Sequence, residues 1–191
     1  MTCAQEMEKA FIFGGKEEIT GPQGQPERLT AGIKSYISTN VKDFSGTVTE
    51  TLWDTEMEKL FRFGSQTKVA FAGTQALLTM SRLAKDKGVI NLVPADQTYG
   101  IRFNEYVTPF GTLMMVVHPL FTAHPVWGLA MLVVDFDHLV YRYIDDTVFL
   151  PHRQERGRDA RVDEFLTEAG LEVHHEKTHA WYTGMTAYSS S

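Results

Sequence analysis

The chain has 191 residues, of which 43% are hydrophobic and 22% charged, and its formal net charge is -6. This length and apolar content support one large domain or two small ones. The acidic balance argues against a dedicated nucleic-acid binder, which usually carries a basic stripe. The single cysteine, Cys3, excludes an internal disulfide framework and a zinc site built from several cysteines. The first residues form no apolar core of the kind found in signal peptides, so secretion by that route is not predicted.

The beginning of the chain predicts a short helix followed by a loop. Residues 5–13 carry apolar side chains at helical spacing, and the pair Gly14-Gly15 predicts the end of that helix. Residues 16–28 are rich in glycine and proline, so we expect a loop and neither a helix nor a central strand. An apolar stretch of uncertain type follows at residues 29–37.

A capping-box pattern predicts the start of a second helix. Thr47 and Glu50 have the spacing at which a hydroxyl and a carboxylate satisfy the free amides of a helix start. Apolar residues at helical spacing then continue to Gly64, where we expect the helix to end. The sequence of residues 6–14 nearly recurs at residues 56–64. The match does not extend on either side, so we interpret it as two helices with similar ends and not as a repeat architecture.

Residues 68–93 predict a strand, a helix and another strand. We expect the strands at residues 68–71 and 89–93, with the helix between them closed by Gly88. The apolar face of this helix is predicted to comprise Leu77, Met80, Leu83 and Ala84.

Residues 99–119 predict the hairpin around which the chain is organised. The first half alternates between apolar and polar residues, which is the pattern of a half-buried strand. Pro109 and Gly111 stand where a tight turn places such residues, and we expect Gly111 to need a positive φ angle. Residues 112–117 are apolar at nearly every position, which predicts a strand that is buried on both faces.

The rest of the chain predicts mainly strands. The most apolar window, residues 111–134, is interrupted by prolines, so we interpret it as two buried strands joined by a loop and not as a membrane helix. Further elements are a buried strand at 129–135, a loosely alternating stretch at 139–150, a polar loop at 153–163, a segment of ambiguous type at 164–174 and a β-rich segment at 179–188. Helices and strands are mixed without regular βαβ alternation, so the predicted fold class is α+β.

The segment His175-Glu176-Lys177-Thr178-His179 matches the zinc-protease pattern H-E-x-x-H. On a helix, the two histidines would share a face and bind zinc, and Glu176 would activate water. The flanking residues have strand character, which favours a hairpin turn at Glu176 and Lys177 between the two strands. We therefore predict no functional zinc, and a zinc hydrolase acting through His175, Glu176 and His179 is one alternative function.

A second pattern, Tyr143-Ile144-Asp145-Asp146, matches the Y-x-D-D hairpin of reverse transcriptases. In those enzymes the two aspartates hold magnesium for phosphoryl transfer. Asp135 and Asp137 could form a second metal pair, but they fit a turn after a buried strand better. No basic template channel is apparent, so we interpret these acids as solvated turn and interstrand residues. A polymerase-like enzyme acting through Asp145 and Asp146 is the other alternative.

His118 and His124 each precede a proline in the connection between the two apolar strands. We interpret them as structural loop residues and not as metal ligands. The sequence contains no serine or cysteine nucleophile elbow and no phosphate-cradling glycine loop. We therefore predict no catalytic residue, no cofactor and no metal ligand.

An ordered series of segments resembles the major capsid proteins of tailed bacteriophages. No motif in the series is catalytic, so its specificity lies in the order of the segments, which covers most of the chain and the last hundred residues most clearly. The matching segments are residues 52–87, Tyr99-Gly-Ile-Arg-Phe-Asn-Glu-Tyr-Val-Thr-Pro-Phe-Gly-Thr-Leu113, His118-Pro119-Leu120, Arg142-Tyr143, Arg153, Asp159, Thr167-Glu-Ala-Gly-Leu-Glu-Val173 and His179-Ala180.

The resemblance implies the Hong-Kong-97-like shell fold. That fold combines a peripheral domain, which has a long helix and long strands, with an axial domain that meets its neighbours at the capsomer centre. We expect residues 1–65 to hold the end of the spine helix, a loop and a connecting helix of the peripheral domain. Residues 66–150 would form the axial domain and the long hairpin, and residues 151–191 the strands that return to the peripheral domain.

The same resemblance implies a structural function. We expect a major capsid subunit that self-assembles as pentamers and hexamers into an icosahedral phage shell around DNA. Scaffolding, portal and decoration proteins are the further partner classes it implies, with at most non-specific contact with DNA and no membrane association. The expected location is the virion, after assembly in the host cytoplasm.

Capsid proteins of this type carry an N-terminal arm, a long helix and an extended loop before the region that this chain resembles. We therefore expect residues 1–14 to be the end of that helix. We also expect the coding sequence to continue upstream in frame, with an amphipathic helical pattern.

Overall fold

The structure is a computed structural model that describes residues 3–21, 24, 26–86, 93–94, 104–154, 157 and 161–189. The described helices are α1 (Cys3–Phe13), α2 (Ile33–Tyr36), α3 (Glu50–Leu60), α4 (Thr74–Asp86) and α5 (Pro119–Thr122). The described strands are β1 (Glu17–Thr20), β2 (Pro26–Leu29), β3 (Val41–Asp43), β4 (Thr47–Val48), β5 (Thr67–Ala72), β6 (Val93–Pro94), β7 (Asn104–Thr108), β8 (Gly111–Val117), β9 (Met131–Val134), β10 (Leu139–Leu150), β11 (Glu164–Val173), β12 (Ala180–Thr183) and β13 (Ala187–Tyr188). This mixture of helices and strands confirms the α+β class.

The chain divides into two compact units. The smaller unit comprises Met1–Tyr36 and Val140–Val173, and the larger unit comprises Ile37–Leu139 and His174–Ser191. These units divide the chain at other positions than the predicted domains 1–65, 66–150 and 151–191, which stay a prediction.

In the smaller unit, helix α1 ends at Phe13, as the Gly14-Gly15 pair predicted. The Gly14 N–H donates to the Ala10 carbonyl over 2.8 Å, and the Gly32 N–H donates to the Gly14 carbonyl over 2.8 Å. A Cβ atom on Gly14 would overlap the carbonyls of Ala10 and Thr30. Glycine is therefore required here because two backbone segments approach closely.

The prediction of a loop at residues 16–28 is wrong. Strands β1 and β2 pair as an antiparallel ribbon in which Glu17 lies opposite Leu29 and Thr20 lies opposite Pro26. Pro26 is the first residue of its strand, a position that a proline tolerates because its missing N–H can be kept off the ladder. The apolar stretch that follows contains the short helix α2.

The smaller unit also holds the two longest described strands, β10 and β11, which pair with each other. Residues 164–174, whose type the sequence left open, are therefore strand. Phe149 stacks near Phe165 with ring centroids 5.0 Å apart, and the hydroxyl groups of Thr147 and Thr167 lie 2.9 Å apart. Between these two contacts the residue number rises from 147 to 149 on β10 and falls from 167 to 165 on β11, so the strands are antiparallel.

The larger unit is built on a seven-stranded sheet with the order β3-β12-β9-β5-β8-β7-β6. Helices α3 and α4 pack on one face of it. Alternate residues of the central strands, such as Ala70, Met115 and Val133, share one buried cluster with Trp53 of α3 and Met80 of α4. Fully burying each large apolar side chain contributes about 1.5–3 kcal/mol, so this layer of helices on a sheet is the main source of stability in the unit.

The predicted apolar face of α4 is confirmed, because Met80, Leu83 and Ala84 are buried and Leu77 packs against the cluster. The strand predicted at residues 68–71 is β5. The strand predicted at residues 89–93 and the closing Gly88 lie outside the described residues, apart from Val93 in β6.

The predicted capping box is wrong. Helix α3 begins at Glu50 after Thr49, whose side chain makes no capping hydrogen bond. Thr47 instead belongs to β4, where it pairs in parallel with Ala187 of β13. The helix also ends at Leu60, earlier than the predicted Gly64, which lies in the following loop with a φ of 83°.

The predicted hairpin is confirmed for its described part, which excludes residues 99–103. Strands β7 and β8 pair antiparallel with Thr108 opposite Gly111. The Thr108 hydroxyl accepts from the Gly111 N–H over 3.0 Å and donates to the Gly111 carbonyl over 2.6 Å, which closes the turn over Pro109 and Phe110. The predicted positive φ at Gly111 is wrong, because Gly111 is not among the residues with positive φ.

The apolar window at residues 111–134 forms two strands joined by a proline-containing connection, as predicted. In β8, Leu113 and Met115 are fully buried while Met114 on the opposite face is half-buried, so its burial is less complete than predicted. Every residue of β9 is buried. Among the described residues, no helix combines the length and apolar character that a membrane span requires.

Candidate functional site

The segment His175–His179 lies between strands and not on an α-helix. Strand β11 ends at Val173 and β12 begins at Ala180, with a single 3-10 turn at Glu176–Thr178. His175 precedes the turn with a φ of 49°. A turn is thus present, but the predicted hairpin is wrong, because β11 and β12 belong to different sheets. A helical face that carries both histidines, which the zinc-protease arrangement requires, does not form.

Glu176 is held by the segment that precedes β3. Its carboxylate accepts from the Ser38 N–H over 3.1 Å, from the Thr39 N–H over 3.2 Å and from the Thr39 hydroxyl. Burial opposes ionisation, but the hydrogen bonds from Thr39 and Ser38 outweigh it and hold the pKa of Glu176 below its ordinary value. The carboxylate therefore ties two chain segments together and is not placed to activate water.

His179 is fully buried, whereas His175 is exposed. The Nδ1 atom of His179 accepts from the Asp135 N–H over 3.1 Å. Burial lowers the pKa of His179 to about 4 against the opposing charge of Asp135, so the imidazole is neutral at pH 7. The His175 ring instead contacts the His138 ring, with centroids 5.1 Å apart. Within the described residues, no three histidine, cysteine or acidic side chains form a group that could hold a metal ion.

A buried ion pair lies directly beneath this segment. The Nζ atom of Lys68 is 3.3 Å from Oδ2 of Asp135, and both side chains are almost completely buried. Lys68 also donates to the Phe63 carbonyl over 3.0 Å and to the Thr178 carbonyl over 2.9 Å. Burial lowers the pKa of Lys68, and the Asp135 carboxylate opposes that shift. The ammonium group thus has three hydrogen-bond acceptors, which satisfy the requirement of a buried cation for partners.

Asp135 is the acceptor at the centre of the cluster. It accepts from the Ser65 N–H over 2.8 Å, from the Ser65 hydroxyl over 3.0 Å and from the Asp137 N–H over 3.2 Å. Burial raises the pKa of Asp135, but the Ser65 hydrogen bonds and the Lys68 charge outweigh it and lower the pKa overall. A Cβ atom on Gly64 would overlap the Asp135 carboxylate, so glycine gives the loop room to approach. Asp135 and Asp137 lie in a turn after a buried strand, as interpreted, but Asp135 is not solvated.

Asp145 and Asp146 lie in the middle of β10 and are exposed. Successive side chains of a strand point to opposite faces, so these carboxylates do not form a metal pair. The Asp146 carboxylate accepts from the Thr147 N–H over 2.8 Å. The turn found in polymerase hairpins is absent from this stretch.

His118 and His124 each stabilise a local turn. Nδ1 of His118 accepts from the Leu120 N–H over 3.3 Å at the start of α5. Nδ1 of His124 accepts from the Val126 N–H over 3.3 Å, and its ring stacks on Trp127 with centroids 4.1 Å apart. The structural interpretation of both histidines agrees with these contacts.

Neither the buried pair nor the acceptor role of Glu176 was predicted from the sequence. One signal was available, because Lys68 occupies an inward-facing position of the alternating strand Thr-Lys-Val-Ala-Phe-Ala. A lysine at such a position requires a buried acceptor. Its partner is distant in the sequence, so no local pattern identified Asp135.

Comparison with known proteins identifies a family whose sequences resemble this chain. The family model described as SU10 major capsid protein matches residues 1–186. The major capsid protein of Pseudomonas phage PaMx41 is 27% identical over 174 residues, which cover 85% of this chain and 38% of that protein. The chain therefore spans well under two thirds of the length of this relative.

Two solved structures have a similar fold. The holo-SrpI encapsulin complex from Synechococcus elongatus PCC 7942 is 15% identical with a TM-score of 0.57, covering 84% of this chain and 59% of the encapsulin chain. The satellite phage P4 procapsid including size determination (Sid) protein is 14% identical with a TM-score of 0.51, covering 95% of this chain and 63% of the P4 chain. At these identities the likenesses concern the fold alone. Since the family match extends over almost the whole chain, the chain belongs to the SU10 major capsid protein family.

Proposed function

We propose that the protein is a structural subunit of a phage head, which self-assembles into a closed shell around DNA. The observation that carries this proposal is the family match over residues 1–186. The fold likeness to an encapsulin and to the P4 procapsid supports it, because both are shell assemblies. Subunits of a closed symmetric shell need broad complementary surfaces and no cofactor.

The finer architecture belongs to the same proposal. The subunits would have the Hong-Kong-97-like fold and form the pentamers and hexamers of an icosahedral shell. In place of the predicted domains 1–65, 66–150 and 151–191, we take the two compact units as the domains. The smaller unit, which contains the two longest described strands, would be part of the peripheral domain. The larger unit, with its seven-stranded sheet, would be the axial domain that meets its neighbours at the capsomer centre.

Partners and location follow from that function. Assembly would take place in the host cytoplasm, and the mature protein would reside in the virion. The P4 procapsid includes a size determination protein, which supports a scaffolding-type partner here. Portal and decoration proteins are further partners, and contact with packaged DNA would be non-specific.

The test of this proposal is assembly. Protein purified under native conditions should form rings or shells in negative-stain electron microscopy, with matching masses in light scattering. Particles should grow in number with protein concentration, as expected of a self-association. A monomer at every concentration and salt condition, alone and with the other head proteins of its phage, would contradict the proposal.

We further propose that the protein has no enzymatic activity and no zinc. In support, Glu176 is engaged by Ser38 and Thr39, and His179 is buried against the Asp135 backbone. Elemental analysis of protein purified without chelator should find well below one zinc per chain. A stoichiometric zinc that disappears in both His175→Ala and His179→Ala would support the zinc hydrolase instead.

A further inference from the structure

The chain enters or leaves the larger unit at three points, and the segment His175–His179 contacts the chain next to each of them. The segments of the larger unit are Ile37–Leu139 and His174–Ser191, so these points are Ile37, Leu139 and His174. We name the segment His175–His179 the clasp. All contacts described below lie within the larger unit.

The clasp holds the chain that follows Ile37 from two sides. Glu176 accepts from the backbone N–H groups of Ser38 and Thr39 and from the Thr39 hydroxyl. The side chain of Asn40 donates to the Lys177 carbonyl over 2.7 Å and to the His179 carbonyl over 3.0 Å. Residues 38–40 are thus bonded to both ends of the turn.

The clasp also holds the chain that precedes Leu139. The rings of His138 and His175 are in contact, and the His174 N–H, directly before the clasp, donates to the His138 carbonyl over 2.9 Å. The Asp135 N–H donates to Nδ1 of His179. The five residues that resemble a zinc motif therefore join residues 38–40 to residues 135–138.

We propose that the clasp opens in acid while the seven-stranded sheet stays folded. Once it is open, the clasp no longer holds together the chain next to Ile37, Leu139 and His174. This inference does not depend on the proposed shell function. It depends on the fact that the bonds from Ser38 and Thr39 end on the Glu176 carboxylate and the bond from Asp135 ends on the His179 imidazole. The sheet beside the clasp is held mainly by backbone pairing and apolar packing.

Protonation weakens the Glu176 and His179 connections for a geometric reason. A protonated Glu176 loses the charge that strengthens its bonds to Ser38 and Thr39. A proton on Nδ1 of His179 would point at the Asp135 N–H, which is itself a donor, so that hydrogen bond cannot persist.

The charged groups around these side chains modulate the effect without cancelling it. Lys177 faces Glu176 and favours its carboxylate. Lys68 and His138 disfavour a proton on His179, and the Asp135 carboxylate favours one. Because the pKa of His179 is about 4 and that of Glu176 lies below its ordinary value, opening requires acid near or below pH 4.

Hydrogen exchange measured by mass spectrometry on the full chain between pH 7 and pH 3 tests the proposal. After correction for intrinsic exchange rates, the protection of residues 38–40 and 174–179 should fall at a higher pH than that of β5 and β9. Equal loss of protection in all four segments at every pH would overturn the proposal.

The variant Glu176→Gln tests the same connection at pH 7. It should lower the protection of residues 38–40 by at least about tenfold, because it removes a charge-assisted acceptor, and leave β5 and β9 unchanged. Glu58→Gln, an exposed glutamate on α3, is the matched control and should change neither. Unchanged protection of residues 38–40 in a folded Glu176→Gln protein would also refute the clasp, and the pH series on the parent decides the case if that variant does not fold.

Discussion

Adding a single methyl group to Gly111 should destabilise the larger unit, because the backbone of this turn lies against its neighbours. A Cβ atom at Gly111 would lie 2.5 Å from two ring carbons of Phe61 and 2.6 Å from the Gln66 carbonyl oxygen. Carbon atoms in ordinary contact are about 3.5–4.0 Å apart, so the overlap is about 1 Å. Neither neighbour is free to move, since Phe61 packs against the core and the Gln66 carbonyl accepts from the Thr112 N–H over 2.8 Å.

The size of the effect follows from this overlap. Inserting a methyl group into a packed site costs about 1–3 kcal/mol, and the two further methyl groups of valine add to it. The total free energy of unfolding of a domain is about 5–15 kcal/mol. For a chain of this size each kcal/mol shifts the melting temperature by roughly 2–4 °C. Gly111→Ala should therefore melt about 2–12 °C below the parent, and Gly111→Val lower still, with less soluble and assembled protein.

Two explanations for the glycine at position 111, a steric clash with its neighbours and backbone strain, can be distinguished by thermal melting. The variants to compare are Gly111→Ala, Gly111→Asn and Gly15→Ala. Close approach predicts that alanine is tolerated better than the larger asparagine. A positive φ would predict the reverse order, since asparagine adopts that region more readily. Gly15 has open space where its Cβ would lie, so Gly15→Ala should melt like the parent or slightly higher. A Gly111→Ala protein that melts with the Gly15→Ala control would refute the reasoning.

Three further predictions concern the titratable groups. As the pH falls from 6.5 to about 4, His179 takes up a proton in the unfolded chain but not in the folded protein, so the free energy of unfolding in urea should fall by at most about 3 kcal/mol. His179→Asn keeps a hydrogen-bond acceptor and should lose this pH dependence. An equal pH dependence in the variant would contradict the assignment to His179. Lys68→Met and Asp135→Asn should each lower the free energy of unfolding in urea by about 3–5 kcal/mol, because each change leaves the buried partner without its counter-charge. The double variant should lose clearly less than the sum of the two, and strictly additive losses would exclude the pairing. The double variant Asp145→Asn with Asp146→Asn should melt and assemble like the parent, and loss of assembly there would favour a metal site.

The elements predicted correctly are those whose signal lies within one stretch of sequence. Helix α4 shows apolar residues at helical spacing, and β9 is apolar throughout. The hairpin of β7 and β8 combines alternation with Pro109 in the turn. In each case the local pattern and the tertiary packing favour the same structure, so the sequence alone identifies the element.

Two of the wrong predictions share a different cause. Thr47 fits a capping box locally, but its backbone pairs with Ala187 near the other end of the chain. Gly111 fits a positive-φ turn locally. In the structure the Thr108 hydroxyl closes the turn, and the Phe61 ring leaves no room for a side chain at position 111. In both cases a partner distant in the sequence decides the conformation, and a single sequence does not identify that partner.

The clasp shows why a catalytic pattern is weak evidence without its structural context. Its histidine, glutamate and histidine occupy the spacing of a zinc site, yet the backbone forms a single 3-10 turn and sends their side chains to separate partners. Glu176 lies against Thr39, His175 against His138 and His179 against Asp135. A metal ion requires its ligands to converge on one point, whereas a fastening between segments requires them to diverge. The direction in which the side chains leave the backbone therefore separates the two functions, and that direction depends on the strands on either side of the turn.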